Sequence, residues 1–296
     1  MNTSLVSVDQ PTILITGATG SIGQELTKTL SQREIRFRAM VRNPRQESEL
    51  SALPGVDIVV GDFNDATTIA TALRGIERAF LLTPSSEEAE VQQLRFVEEA
   101  RKVGTRHVVK LSQLAADENS PVRFLRYHAV VEKAIHKSGL DFTFLRPNLF
   151  MQGLLSFRSS IAQSGQFSAP IGEAQISIVD VRDIAAVAAA ALTEAGHTGQ
   201  TYTLTGPESL THADMAAELS KALSKPITFV NSTPEMMRAM LEHIGFPAWQ
   251  ADGLIEDYAH YSRNEAAALS TGVLDATHQA PRSFAQFAQD YAPAFS

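Results

Sequence analysis

The stretch Ile13-Leu14-Ile15-Thr16-Gly17-Ala18-Thr19-Gly20-Ser21-Ile22-Gly23 holds the residues whose spacing carries the clearest chemistry. A short apolar run feeds three glycines set three residues apart, and helical spacing follows. In such a strand, turn and helix, Gly17 turns the chain and Gly20 lets backbone approach a pyrophosphate, while Gly23 packs helix against strand. Amide groups around Ser21 and Ile22 would face the phosphates, helped by the helix dipole. The plain alternative is a tight turn with no ligand, because glycines mark many turns.

The end of the next strand discriminates between dinucleotides. A site for NAD places a carboxylate about 20 residues on, to accept from the ribose 2′-hydroxyl. Here Phe37–Val41 runs into Arg42 and Asn43. A guanidinium pairs with a 2′-phosphate that a carboxylate would repel. A solvated basic loop is the alternative, but after this glycine turn the phosphate reading is preferred, and NADP(H) is the expected cofactor. Two further spots fit the same cleft. Asp62 could accept from an adenine amine with Phe63 bordering the ring, or could make an Asx-turn that caps the helix beginning at Ala66. Leu82-Thr83-Pro84 follows the fourth strand, on the edge where such sheets hold ligands.

These residues need elements to hold them. Strand-length apolar runs occur at 12–16, 37–41, 57–60, 79–82, 107–111 and 142–145. Helical faces lie between them: Leu26 with Leu30; Leu94 with Val97 and Ala100; Val130 with Ala134 and Ile135. Strands alternating with helices predict right-handed βαβ units. The fold class is therefore α/β: a Rossmann-type doubly wound parallel sheet with a smaller mixed α/β C-terminal substrate-binding part. The expected division is a disordered lead-in over 1–11, an NADP(H)-binding domain over 12–150 and a substrate part over 151–296, interleaved with the end of the sheet. Past Arg146 the rhythm changes. A long helix follows Asp180, short strands are expected near Tyr202–Thr205 and Ile227–Val230, and a helix starts after Thr211 with Asp214 in a capping arrangement. Residues 233–272 read as helical, and a last helix covers about Ser283–Tyr291. Asp180 and Asp183 suit helix capping better than paired acid chemistry.

Composition narrows the function. Of 296 residues, 44% are apolar, enough for a large core, and the net charge of -8 disfavours nucleic acid. The one modest basic cluster, Arg33 to Arg45, contains the proposed phosphate partner. Cysteine is absent, which excludes disulfides, thiolate chemistry and Cys-ligated zinc. No apolar stretch approaches the roughly 20 residues of a membrane helix. The first residues lack the pattern of a signal peptide, so the expected address is the cytoplasm. No metal is expected, and both a monomer and a homodimer fit.

Taken together, "TGATGSIG", "MVRNP", "GDFND", "LLTP", "VVKLSQLAA", "HAVVEKAIHKSGLDFTFLRPNLF", "IVDVRDIA" and "TYTLTGP" resemble the short-chain dehydrogenase/reductase superfamily in its atypical NmrA-like branch. The resemblance implies quinone- or dye-reducing activity with NADPH, or an NADP-sensing regulator. It also implies cofactor contacts from Gly17–Gly23 (Thr19 included), Arg42, Asp62-Phe63 and Thr83. Pro147, Asn148, Leu149 and Phe150 would lie near the nicotinamide, and Lys133 near a ribose.

One departure bears on chemistry. Enzymes of the superfamily commonly pair Ser with Tyr-x-x-x-Lys, the Tyr giving a proton and the Lys lowering its pKa. Ser112 stands at the expected strand end, but Tyr127 is followed four residues later by Val131, and Lys133 is out of register. His128 and Glu132 share a helix face instead. His128 could be a proton donor, could make a structural contact with Glu132, or could join a metal site that lacks a third ligand. Without the tyrosine, conjugated acceptors suit the residues better than ketones, because their reduced forms spread charge over a π system. Met151, Phe157, Phe167, Met240, Phe246, Trp249, Tyr258 and Tyr261 could hold a flat acceptor, or could be ordinary core. The residues favour a reductase of small conjugated or aromatic molecules. The alternative is a non-catalytic NADP(H)-sensing protein.

Overall fold

Short runs that are apolar at every position, such as Ile13-Leu14-Ile15, need cover on both faces, and parallel sheets supply it. The computed structural model describes residues 10–43 and 50–295. Its main sheet contains β1 (Ile13–Ile15), β2 (Phe37–Val41), β3 (Val56–Val60), β4 (Arg78–Leu81), β5 (His107–Leu111), β6 (Asp141–Pro147) and β8 (Gln200–Leu204). All neighbours are parallel, in the order β3-β2-β1-β4-β5-β6-β8. Alternate residues serve opposite faces. Ile13, Ile15, Phe80, Val109 and Leu145 pack under α1 (Ser21–Gln32), α6 (Val181–Thr193) and α10 (Gly272–Thr277). Leu14, Ala79, Leu81, Val108 and Phe144 pack under α2 (Ala66–Leu73), α3 (Ala89–Val103) and α4 (Arg123–Ser138).

A second core carries the far half of the chain. A 3-10 turn (Met151–Phe157) and α5 (Arg158–Ser164) lead to β7 (Gln166–Ala169), which pairs in parallel with β9 (Thr228–Asn231). Phe167, Ile176, Met215, Leu219, Phe284 and Phe287 fill the space between this ribbon, α7 (His212–Leu223) and α11 (Phe284–Asp290). Two further helices, α8 (Pro234–His243) and α9 (Ala248–Tyr261), lie beyond.

The six strands expected in the first half are present, and the caps follow their chemistry. Thr211 and Asp214 form a reciprocal capping box on α7, and Asp180 accepts from the Arg182 amide at the start of α6. Three expectations change. The helical stretch over 233–272 is two helices and a connecting segment. β7 is an addition: at four residues it is too short for a period-2 pattern, and Gly165 and Pro170 flank it as turn residues do. The buried face of α4 runs through Phe124, Tyr127, His128, Val131 and Ile135, with Val130 and Ala134 only partly covered. Of the expected lead-in, residues 1–9 lie outside the described residues, and Pro11 is buried. Arg45 also lies outside them. Among the described residues no helix is long and apolar enough to cross a membrane.

Candidate active site

In this strand order β1 lies between β2 and β4, so the chain departs to opposite sides at their carboxyl ends and opens a crevice. The crevice is a cleft of about 870 Å³. Thr16 fastens its floor: its hydroxyl donates to the Phe80 carbonyl at 2.8 Å and accepts from the Leu82 amide at 2.9 Å.

The glycine turn forms one end. Gly17 has φ +64°, and a Cβ there would stand 2.9 Å from the Leu82 side chain, so this position demands glycine. Gly17, Thr19, Gly20, Ser21 and Ile22 all line the cleft. Gly23 does not: a Cβ there would stand 2.0 Å from the Gly17 carbonyl, so it serves the packing of helix on turn. Gly20 caps α1 with extended backbone and no side-chain bond, and the first turn holds no acidic residue. Among the described residues no side chain caps the opening amides of α1, and Ser21 and Ile22 line the crevice, a ready anion site. Arg42 stands exposed on the rim, without an ion pair to any described residue. Asp62 and Phe63 line the same region; Asp62 makes the Asx-turn, accepting from Asn64 at 2.8 Å. Helix α2 itself is capped by Asp65 instead.

Leu82, Thr83, Pro84, Ser112, Pro147, Asn148, Leu149 and Phe150 line the middle of the cleft. Thr83 is held by the Gln93 amide at 2.8 Å. The Asn148 side chain donates to the Ala266 carbonyl at 2.8 Å and accepts from Leu149, which fixes the wall beyond β6. Ser112 is buried, yet its hydroxyl has no hydrogen-bond partner among the described residues. A buried polar atom left open beside a cleft awaits a ligand or water.

Deeper in, the helix α4 does not make the pairing its spacing suggested. Glu132 binds Arg146, with Nε to Oε1 at 3.0 Å, so it is unavailable to His128. His128 Nδ1 instead meets the ammonium of Lys110 at 2.7 Å, and Lys110 also donates to the Leu111 carbonyl at 2.9 Å. Burial, then the neighbouring Lys110, hold the imidazole well below its ordinary range. Burial brings Lys110 down to about 7, opposed by Glu132 and assisted by Arg146. The reason for expecting His128 to exchange protons near neutrality, its ordinary titration range, therefore falls away. It lines the cleft as a neutral ring, and a protonated Lys110 donating to Nδ1 leaves the ring hydrogen on Nε2. Tyr127 lines the cleft as well; its hydroxyl and that of Ser85 lie 3.0 Å apart, and burial pushes its pKa up.

The remaining wall is α9, which presents Gln250, Leu254, Asp257 and Tyr261 with Pro247 at its start. Sequence reasoning named only Tyr261 here. The signal available was the spacing 250, 254, 257, 261, one helical stripe that mixes polar and apolar residues. Asp257 is buried and accepts from Gln113 Nε2 at 3.0 Å on both oxygens. Burial raises its carboxyl to about 7 against that bond, and Glu256 adds to the rise. Arg123 ties α9 to α4 by forking onto Glu256, at 2.7 Å from Nη2 to Oε1.

Several expected contacts lie elsewhere. Lys133 is exposed and paired with Glu118 at 2.7 Å, because it projects from the outer face of α4. Asn43 is outside the cleft lining. Met151, Phe157, Phe167 and Tyr258 pack in the second core, and Met240 and Phe246 pack between α8 and α9. Trp249, outside the cleft lining, packs against Phe124 with the rings tilted and their centroids 5.4 Å apart. Ordinary packing claimed each of these apolar side chains. Asp180 and Asp183 pair with Arg182 and Arg282 away from the cleft. Among the described residues, no three His, Asp or Glu side chains cluster as metal ligands.

The residues present fit a phosphorylated dinucleotide: a glycine cradle, an open helix start, a guanidinium on the rim and an unpartnered hydroxyl in the middle. Known proteins point the same way. The chain is 35% identical over 283 residues to an NAD(P)H azoreductase of Xenophilus azovorans, covering 96% of this chain and 99% of that protein. Its fold matches the NADPH-dependent quinone oxidoreductase of Escherichia coli, solved with NADPH, at a TM-score of 0.85 and 27% identity over 94% of this chain and 99% of that one. It also matches the Citrobacter sp. triphenylmethane reductase, solved with NADP(H), at 0.84 and 25% identity over 95% and 99%. Residues 9–287 match the profile of the NmrA-like family, and the chain belongs to that family.

Proposed function

We propose that this protein is an NADPH-dependent reductase of small conjugated acceptors: quinones, azo compounds and cationic dyes. One observation carries the reading. The cleft does not end where a dinucleotide cradle would, but continues past Ser112 to a wall of Phe124, Tyr127, Leu254 and Tyr261. A protein that only sensed nucleotide would have no use for that space; an enzyme must have it. The named activities of the azoreductase and the two solved reductases support the same choice.

When bound, the reduced dinucleotide supplies hydride from its nicotinamide. The chain's residues bind, orient and dry the site. Gly17, Gly20 and the opening amides of α1 hold the pyrophosphate, and Arg42 selects the 2′-phosphate. Asp62 and Phe63 would border the adenine, while Thr83 and the Pro147–Phe150 wall would set the nicotinamide's position. Ser112 donates a hydrogen bond to the ligand in the middle of the cleft. His128, its hydrogen kept on Nε2 by Lys110, donates to a polar atom of the acceptor and steadies the charge that forms there. Phe124, Tyr127 and Leu254 clasp a flat ring, and orientation then accounts for much of the rate.

The test is turnover. With NADPH, the purified protein should consume the reduced-nicotinamide absorbance in the presence of quinones, azo dyes, triarylmethane dyes or enones. Tight NADPH binding with no consumption for any of these acceptors would leave the sensing role in its place.

A further inference from the structure

Reduction of a quinone or azo group needs a proton as well as a hydride, and the missing Tyr-x-x-x-Lys leaves that proton without a source. We propose that Asp257 is the acid that protonates the acceptor, a role that rests on the reductase reading above. The geometry is specific. Asp257 lies on the cleft-facing stripe of α9, is buried, and forms no ion pair with any described residue. Among the described residues its one hydrogen-bond donor is the Gln113 amide, 3.0 Å from each oxygen. Gln113 follows Ser112 at the carboxyl end of β5, so the bond fixes the carboxyl against the strand ends where the ligand must sit. In the protonated form, Gln113 can serve only the carbonyl oxygen, and the hydroxyl oxygen is left to address the cleft.

The groups around it leave few rivals. Tyr127 on α4 and Tyr261 on α9 also line the cleft, and Tyr258 lies beside Asp257 on its own helix. Burial raises all three phenols, so they hold their protons too firmly to cycle at neutral pH. His128 carries no proton to spare there, and Lys110, also near 7, lies outside the cleft lining and spends its bonds on His128 and the Leu111 carbonyl. Glu256 faces away into Arg123. Burial places the Asp257 carboxyl near 7, where an acid can both give and regain a proton.

The step balances. A quinone takes two electrons and one hydrogen as hydride on one oxygen, and the dinucleotide that supplied it leaves oxidised. The other oxygen takes the proton of Asp257, giving a hydroquinone and a carboxylate that regains its proton from water. A triarylmethane carbocation differs, since hydride alone turns it into a neutral product.

That difference supplies the test. Asp257→Asn and native protein are compared with NADPH on a quinone and on a triarylmethane cation, and the ratio of kcat values is read. The ratio of quinone to cation turnover should fall roughly 100-fold, and the native pH profile for the quinone should lose its alkaline limb near 7 in the variant. Equal losses on both acceptors would overturn the assignment, as would an unchanged ratio. A second readout needs no cofactor. Infrared difference spectra of the free protein should contain a carboxylic C=O band that titrates near 7 and is absent from Asp257→Asn; a band confined below pH 5 would sink the proposal. If the native protein reduces neither acceptor, the reductase reading itself fails; if it reduces both and the ratio holds, only the role of Asp257 does.

Discussion

At the scale of single residues, the proposed function divides charges that select from charges that react. Arg42 stands exposed on the rim, where the proposed 2′-phosphate could meet it without burying it. Arg42→Glu removes a charge-assisted bond and adds a repulsion, together worth about 2–3 kcal/mol. NADPH should then bind roughly 100-fold more weakly while NADH changes little; equal loss for both, measured by fluorescence titration, would defeat the 2′-phosphate assignment. Asp257 is the opposite case. Its folded pKa lies above the ordinary carboxylate value, so its contribution is fully present at acid pH and is lost as pH rises through about 7. Native protein should lose on the order of 4 kcal/mol relative to Asp257→Asn between about pH 4 and pH 8. Parallel urea titrations of the two proteins check it, and parallel pH curves would mean the carboxyl is not held up by burial.

At the scale of elements, what was legible depended on how local the determinant was. The glycine turn, the first six strands and the caps at Thr211 and Asp180 were readable because spacing and residue type alone decide them. The wall that α9 gives the cleft was not. Leu254 and Asp257 reach the cleft only because α9 docks on α4, through Arg123, which forks onto Glu256 and lies over Trp249 at 5.4 Å. Nothing near residue 257 in the chain announces residue 123. The same blindness put Phe167 and Met240 in a pocket, since an aromatic side chain has the same appearance in a core and in a cleft. His128 and Glu132 show a subtler failure: they share a face, but Lys110 and Arg146 arrive from neighbouring strands and take one partner each. The tie between α4 and α9 can be tested. Arg123→Ala should raise KM for the acceptor about fivefold, as loss of about 1 kcal/mol implies, with NADPH affinity held within threefold. A matching loss of NADPH affinity would show that the helix does more than wall the acceptor. Between turn and helix, Gly23→Ala drives a Cβ into the Gly17 carbonyl and should destabilise the fold by about 3 kcal/mol or more, seen as a lower Tm.

At the scale of the molecule, the two halves of the chain share one sheet. β8 pairs along β6, and α6 covers the face of the sheet on which α1 lies. A chain cut after Phe150 would expose β6 as an open edge and strip the cover from Leu26 and Leu30. We expect it to remain unfolded or aggregate, read by circular dichroism and sedimentation; a soluble, cooperatively melting fragment would show that the first half stands alone.

The cleft has one further consequence, which follows from its two ends. The glycine turn belongs to the first core, whereas α9 lies more than two hundred residues later in the chain, against the second. A nucleotide on the turn, with an acceptor held between it and α9, would act as a strut, bracing parts that no covalent crosslink joins in a chain without cysteine. At a hundredfold excess over Kd such a strut adds about 2.7 kcal/mol by mass action. Resistance to proteases would then track the supply of dinucleotide, so that starvation for the coenzyme shortens the life of the protein as well as idling it.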